Sequence, residues 1–208
     1  MTSSVQGQGI MKNSKRIYFW VVVVCFFGGI LLAQYFLKQQ GSGLIPGAGG
    51  DFTLQSHDGP VSLSQFKGKV VAVYFGYMSC PDICPTSLWN LSAALKLLKP
   101  EEADQVQGIF VSLDPERDTP HALSLFVKGF YDSFIGLTDT KEKLDQVARQ
   151  YSVIYQKVPL PDSAMGYVLD HSSVIYLIDR NGVLQYYVAH NTQPEEIKQD
   201  LLKLIAAG

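Results

Sequence analysis

Hydrophobic residues run unbroken over a long stretch near the start of the chain. Residues 17–37, "IYFWVVVVCFFGGILLAQYFL", carry no charge and, apart from Gln34 and the tyrosine hydroxyls, nothing polar. A helix of that length, at about 1.5 Å per residue, reaches roughly 30 Å, the thickness of a bilayer's hydrocarbon core. Residues 38–50, "KQQGSGLIPGAGG", then switch to Gly, Ser and Pro, the composition of a flexible tether. A folded domain is expected from Asp51 to Gly208.

Within that domain the pattern alternates between strand and helix periods. "DFTLQSHDGPVSLSQFKGK" alternates polar and apolar positions around Asp58-Gly59 and predicts a short hairpin. "VVAVYFGY" (70–77) and "VQGIFVSLD" (106–114) are the continuous apolar runs of strands buried on both faces. Leu88, Leu91, Leu95 and Leu98 recur at helical spacing between Pro85 and Lys99. "TPHALSLFVKGF" opens a second helix, with Thr119 as N-cap and Pro120 at the first helical position. "TKEKLDQVARQY" predicts a third, "YSVIYQKV" a strand, "SVIYLIDRNGVLQYYV" a hairpin turning at Asn181-Gly182, and "QPEEIKQDLLKLIAA" a closing amphipathic helix. This order predicts an α/β domain of thioredoxin-like fold with an extra N-terminal β-hairpin, preceded by one transmembrane helix. A flavodoxin-like sheet is the alternative, but it would not put paired cysteines at the first strand-to-helix junction.

Charge orients the anchor. Lys12, Lys15 and Arg16 precede the apolar run, no acidic residue lies among residues 1–16, and only Lys38 follows closely. The positive-inside bias keeps residues 1–16 in the cytoplasm and exports the rest. The run is longer than a signal-peptide core and lacks a small-residue cleavage site after it, which favours a retained anchor. Without a long Arg/Ser-rich presequence, a bacterial inner membrane with the domain in the periplasm is favoured over a mitochondrial one. A formal charge of −2 with no basic stripe removes the electrostatic case for nucleic-acid binding.

The chemistry sits in "FGYMSCPDICPTSLWN" (75–90). Of three cysteines, Cys25 lies mid-span as a small hydrophobe, leaving Cys80 and Cys84 to face an oxidising compartment. They fall where a buried strand gives way to a helix, whose unpaired N–H groups and positive dipole end favour thiolate. Spaced i, i+4, their sulfurs point the same way, to clasp a metal or close a disulfide. A bridge enclosing three residues gains little from loop closure, so a purely structural staple is the weaker reading.

A third group separates these possibilities. His57, His121 and His190 lie at turns or element ends and read as solvated, whereas His171 immediately precedes the apolar run 173–178. In a thioredoxin-like sheet, the loop entering that strand packs against the cysteine motif. Two thiolates favour Cu(I), and an added imidazole keeps Cu(II) acceptable. Zinc accepts the same donors, but a closed structural zinc site normally wants four. Three ligands near an exposed loop suit a metal that is handed on.

These residues resemble the Sco/SenC family of membrane-anchored copper proteins. "YFGYMSCPDICP" resembles the family's strand followed by CPxxCP, and "VSLDPERDTP", "FIGLT" and "DHS" follow in the family's order. The resemblance covers about residues 51–208 plus the anchor. It implies copper, as Cu(I) and Cu(II), bound by Cys80, Cys84 and His171. It also implies a role in assembling the binuclear copper site of cytochrome c oxidase, whose copper-site subunit would be the partner, alongside a copper donor protein and a thiol reductant. Asp82 and Asp170, beside the ligands, would tune the site or serve as ordinary polar caps, and "DPERDTP" would serve as a docking loop or a structural turn. The chain departs from the family pattern at Met78-Ser79 and at Asp139, none of them a ligand.

Two functions compete. A metallochaperone would pass copper on by ligand exchange. A thiol–disulfide oxidoreductase would instead use Cys80 and Cys84 as attacking and resolving thiols on the oxidase's own cysteines. Related thioredoxin-like reductases carry a cis-proline where this chain has Ser173, which leans toward the copper role. A peroxiredoxin-type peroxidase lacks its threonine and arginine environment around Cys80.

Overall fold

Two strands whose every residue is buried, β3 (Val70–Gly76) and β4 (Val106–Ser112), form the heart of the folded part in this computed structural model, which describes residues 20–26, 28, 29, 32 and 47–207. Their β-branched and aromatic side chains are each worth roughly 1.5–3 kcal/mol when removed from water. They pair in parallel, from Val70 opposite Val106 to Gly76 opposite Ser112. Before them comes the predicted hairpin, β1 (Thr53–Ser56) with β2 (Gly59–Ser62), followed by a 3-10 turn over Leu63–Phe66. The short β5 (Ile135–Leu137) extends the sheet beyond β4 in parallel. On the other side of β3, β8 (Val174–Ile178) and β9 (Leu184–Ala189) are antiparallel, giving the order β5-β4-β3-β8-β9.

The helices are α1 (Ile83–Lys96), α2 (Pro100–Ala103), α3 (Pro120–Lys128), α4 (Lys141–Gln150) and α5 (Pro194–Ala206). The first apolar helix begins two residues before the predicted Pro85 and stops three before Lys99. Lys99 precedes a proline and is therefore extended, and Pro100 starts a separate turn of helix. Thr119 caps α3 as expected, its hydroxyl accepting from the Ala122 N–H at 3.3 Å. Gly49 and Gly50 already touch the domain: the Gly49 N–H donates to the Gln150 carbonyl, and the Tyr151 hydroxyl donates to the Gly50 carbonyl.

One element departs from the sequence reading in a way that matters for the site. The segment before His171 is a strand, β7 (Gly166–His171), paired antiparallel with β6 (Tyr155–Leu160) from Tyr155 opposite His171 to Leu160 opposite Gly166. These two strands form a separate two-stranded arm and pair with no strand of the central sheet. His171 is thus the last residue of a strand rather than part of a loop leading into β8.

The N-terminal unit, residues 1–42, is distinct from the unit 43–208. Residues 20–26, 28, 29 and 32, inside the run expected to cross a membrane, are helical. The rest of that run lies outside the described residues, and among the described residues no helix is long and apolar enough to cross a membrane.

Candidate metal centre

Strand direction explains why a late histidine meets early cysteines. β3 and β4 are parallel, so the loops leaving their C-terminal ends, 77–82 and 113–119, emerge at one edge of the sheet. β8 runs antiparallel to β3, with Ile175 opposite Tyr74, so its beginning lies at that same edge. Cys80 and the first turn of α1 with Cys84, the "DPERDTP" stretch, and the C-terminal end of β7 with His171 converge there.

The donors meet. Sγ of Cys80, Sγ of Cys84 and a ring nitrogen of His171 all lie within 4.8 Å of one another, the one such group of three metal-ligating side chains among the described residues. His171 Nε2 is 3.3 Å from Cys84 Sγ across 87 residues of sequence. Its Nδ1 stands 3.1 Å from the Ser172 carbonyl, a contact in which Nδ1–H donates, and Nε2 is the ring nitrogen that faces the sulfurs. Tyr74 and Tyr77 meet the imidazole edge-on, at centroid distances of 6.2 and 5.9 Å. Both cysteines are free thiols. With donor bonds of about 2.0–2.3 Å, one transition ion is reachable by all three groups.

The two sulfurs are not equivalent. Cys84, in the first turn of α1, is fully buried, while Cys80 is half-buried. The hydrogen bond from the Cys84 thiol pulls Cys80 down to about 3, against its own burial and with help from His171 and the N–H groups of Cys84 and Asp82. The Cys84 N–H, at the helix N-terminus, stands 3.4 Å from Cys80 Sγ. The same hydrogen bond, with burial, pushes Cys84 well above the usual thiol range. Reduced protein is therefore expected to alkylate at Cys80 first, at a rate nearly flat between about pH 5 and pH 8. Mass mapping after brief iodoacetamide treatment checks this; initial labelling at Cys84, or a rate climbing steeply to pH 8, contradicts it.

Room for the buried sulfur comes from Gly76. A Cβ at that position would stand 2.8 Å from Cys84 Sγ and 3.0 Å from the rings of Phe110 and Tyr74. Burial, and then the neighbouring Cys84, push the Tyr74 phenol far above its usual range.

Neither acidic residue flanking the ligands brings its carboxylate to the sulfurs. Asp82 is exposed and accepts from the Thr86 hydroxyl at 3.4 Å; its contribution to Cys80 is its backbone N–H. Asp170 is exposed and, by strand alternation, projects from the opposite face of β7 to His171. Met78 packs against the core, and Asp139 receives the Lys143 ammonium at 3.1 Å.

Within the "DPERDTP" stretch Asp114 and Asp118 are buried, while Glu116 and Thr119 are exposed. Sequence reasoning missed Gly76, Tyr74, Asp114, Arg117, Asp118 and Tyr167. The available signal was the alternation of Tyr167, Leu169 and His171 on one face of a strand.

Comparison with known proteins agrees with this arrangement. Residues 45–206 match the SCO1/SenC family. A SCO2-like protein of Rickettsia conorii is 39% identical over 154 residues, covering 74% of this chain and 75% of the relative. The mitochondrial SCO1 homolog of Mus musculus is 37% identical over 183 residues, 82% of this chain and 64% of its own length. Copper-bound ScoI of Bradyrhizobium japonicum superposes with a TM-score of 0.68 at 37% identity, over 76% of this chain and 99% of that one. BsSco, a member of the Sco family of cytochrome c oxidase assembly proteins in which a disulfide switch has been identified, matches with a TM-score of 0.61 at 29% identity, over 81% of this chain and 99% of that one. With a thioredoxin-like sheet, two cysteines at the first strand-to-helix junction and a histidine folded back onto them, this chain belongs to the SCO1/SenC family.

Proposed function

We propose that this protein is a copper metallochaperone that binds Cu(I) and Cu(II) through Cys80, Cys84 and His171. It delivers the metal to the binuclear copper site of cytochrome c oxidase, acting on the subunit that holds that site. The observation that carries this reading is the meeting of two sulfurs and one imidazole nitrogen within 4.8 Å. Two thiolates suit Cu(I), and the added imidazole nitrogen extends the site to Cu(II). The sulfur gradient sets an order of exchange. A partner's donor reaches the half-buried Cys80 first, while the buried Cys84 holds the ion until the last bond is replaced. Residues 17–37 would tether the domain to a bacterial inner membrane with the copper site in the periplasm, where a donor protein loads it and a thiol reductant keeps the cysteines reduced.

A dedicated thiol–disulfide oxidoreductase is the second reading, favoured by the depressed Cys80 beside the raised Cys84. Cys80 thiolate would attack a partner disulfide, releasing one partner thiolate. Cys84, losing its proton, would then attack the mixed disulfide, releasing the second and closing Cys80–Cys84. The partner gains two electrons and this chain loses two.

Anaerobic titration with Cu(I) and with Cu(II), followed by X-ray absorption and electron paramagnetic resonance, tests the copper reading. One equivalent with both sulfur and nitrogen in the coordination sphere is expected. Coordination by oxygen and nitrogen alone, or no saturable binding, would overturn it.

A further inference from the structure

His171 stands on an arm that the central sheet does not hold by strand pairing, so something else must set its distance from the sulfurs. The loop 113–119 touches both sides. On the cysteine side, Asp118 Oδ2 accepts the Met78 N–H at 2.8 Å, two residues before Cys80, and the Ser112 hydroxyl at 2.6 Å. On the arm side, Asp114 accepts the Tyr167 hydroxyl at 2.6 Å and the Arg117 Nε–H at 2.5 Å. Arg117 then donates through Nη1 to the carbonyls of Met165 and Tyr167, at 3.2 and 3.1 Å, and lays its guanidinium 3.7 Å from the Tyr167 ring centroid. The loop itself is stiffened by the Asp118 and Arg117 N–H groups bonding back to the Asp114 carbonyl, and by the Leu113 N–H bonding to the Gly76 carbonyl.

Strand geometry carries this grip to the metal centre. Tyr167, Leu169 and His171 share one face of β7; Leu169 is buried, and His171 lies about 13 Å along the strand from Tyr167, at about 3.3 Å per residue. The clamp is made of contacts that suit a precise holder. Asp114 is wholly buried, so its charge must be matched, and Arg117 supplies a planar fork that lysine cannot reproduce.

We propose that Arg117, Asp114 and Tyr167 are positioning residues for the third copper ligand: the 113–119 loop is a spacer that fixes the imidazole of His171 against the sulfurs of Cys80 and Cys84. This rests on the copper reading above, and it assigns to the polar "DPERDTP" stretch the task of setting the sulfur-to-nitrogen spacing. Releasing the clamp frees the arm while leaving both thiolates in place, so Cu(II), which depends on the imidazole, suffers far more than Cu(I).

The test compares Arg117→Ala, Arg117→Lys and the milder Tyr167→Phe with wild type, His171→Ala and Arg180→Ala. Arg180 is a structural control beyond the far end of β8, where it bonds the Gly68 carbonyl and Gln105. Arg117→Ala is expected to lower Cu(II) affinity about 10–100-fold, the range for residues that orient a metal ligand, and to weaken the nitrogen coupling in the Cu(II) resonance. Its Cu(I) affinity should stay within about threefold of wild type, because two thiolates suffice for that ion. Arg117→Lys should not rescue, and Arg180→Ala should lower the melting temperature without touching the nitrogen signal. Wild-type Cu(II) affinity and nitrogen coupling in both Arg117→Ala and Tyr167→Phe would overturn the proposal, as would equal losses of Cu(I) and Cu(II). A second readout needs no metal: hydrogen exchange of the β7 amides should accelerate in Arg117→Ala while that of β3 and β4 does not. Unchanged β7 exchange defeats the spacer whatever the copper result. A wild type that fails to coordinate copper through sulfur and nitrogen defeats the copper reading instead.

Discussion

His171→Ala is expected to lower Cu(II) affinity by more than about 100-fold, beyond the range seen when only a ligand's supporting group is lost. Cu(I) affinity should fall less than about tenfold, since the two sulfurs remain. Dithiol exchange should stay within about twofold, because the leading cause of the depressed Cys80 is the Cys84 hydrogen bond, with His171 a smaller one. Competition titrations with chelators of known affinity, run beside a dithiol-exchange assay, measure all three quantities. The variant thereby separates the two proposed functions. Cells that carry it and still assemble the oxidase at low copper would show that metal transfer through this site is not the task. Cys80→Ser removes a ligand and the attacking thiol together, so it separates nothing.

Gly76→Ala is expected to destabilise the fold by about 1–3 kcal/mol and to weaken copper binding at the same time. Gly76 has ordinary strand geometry, so alanine carries no backbone penalty; the whole effect comes from a methyl group forced to 2.8 Å of Cys84 Sγ and 3.0 Å of two aromatic rings. β3 is held on both sides by neighbouring strands and cannot retreat. The sulfur and its helix must shift instead. Thermal melting should drop by several degrees, at roughly 2–4 °C per kcal/mol for a domain of this size. A double-mutant cycle isolates the cause: in a Cys84→Ala background the same substitution should be distinctly milder, because one of the three clashes is gone. An equal loss in both backgrounds would place the strain on Phe110 and Tyr74 alone.

The reach of the sequence can be judged from particular residues. Continuous β-branched runs identified β3 and β4 because strands buried on both faces leave no room for polar letters. Thr119-Pro120 gave the start of α3 because capping is local chemistry. The thioredoxin-like order brought His171 to the cysteines, and the three donors do converge. What escaped was tertiary. β7 is a short strand in an arm that remains partly exposed, so its hydrophobic signal is faint. Missing it also hid the parity that turns Asp170 away from His171. "DPERDTP" reads as surface because buried carboxylates are rare, and only their partners, the Met78 N–H and the Tyr167 hydroxyl 40 and 53 residues away, reveal the reason for burying them. The space above Gly76 depends on a helix that arrives later in the chain, which no spacing rule reports.

Antiparallel β8 has one further consequence, for timing. Cys84 lies 87 residues before His171, and the strand that follows the histidine must still pair with β3 for this edge of the sheet to close. A growing polypeptide therefore displays a bare dithiol long before it owns a complete coordination sphere. During that interval, on the proposed copper reading, it would attract soft monovalent ions but lack the imidazole that extends the site to the cupric form. On the copper reading proposed above, competence for both oxidation states would follow only once His171 has been made.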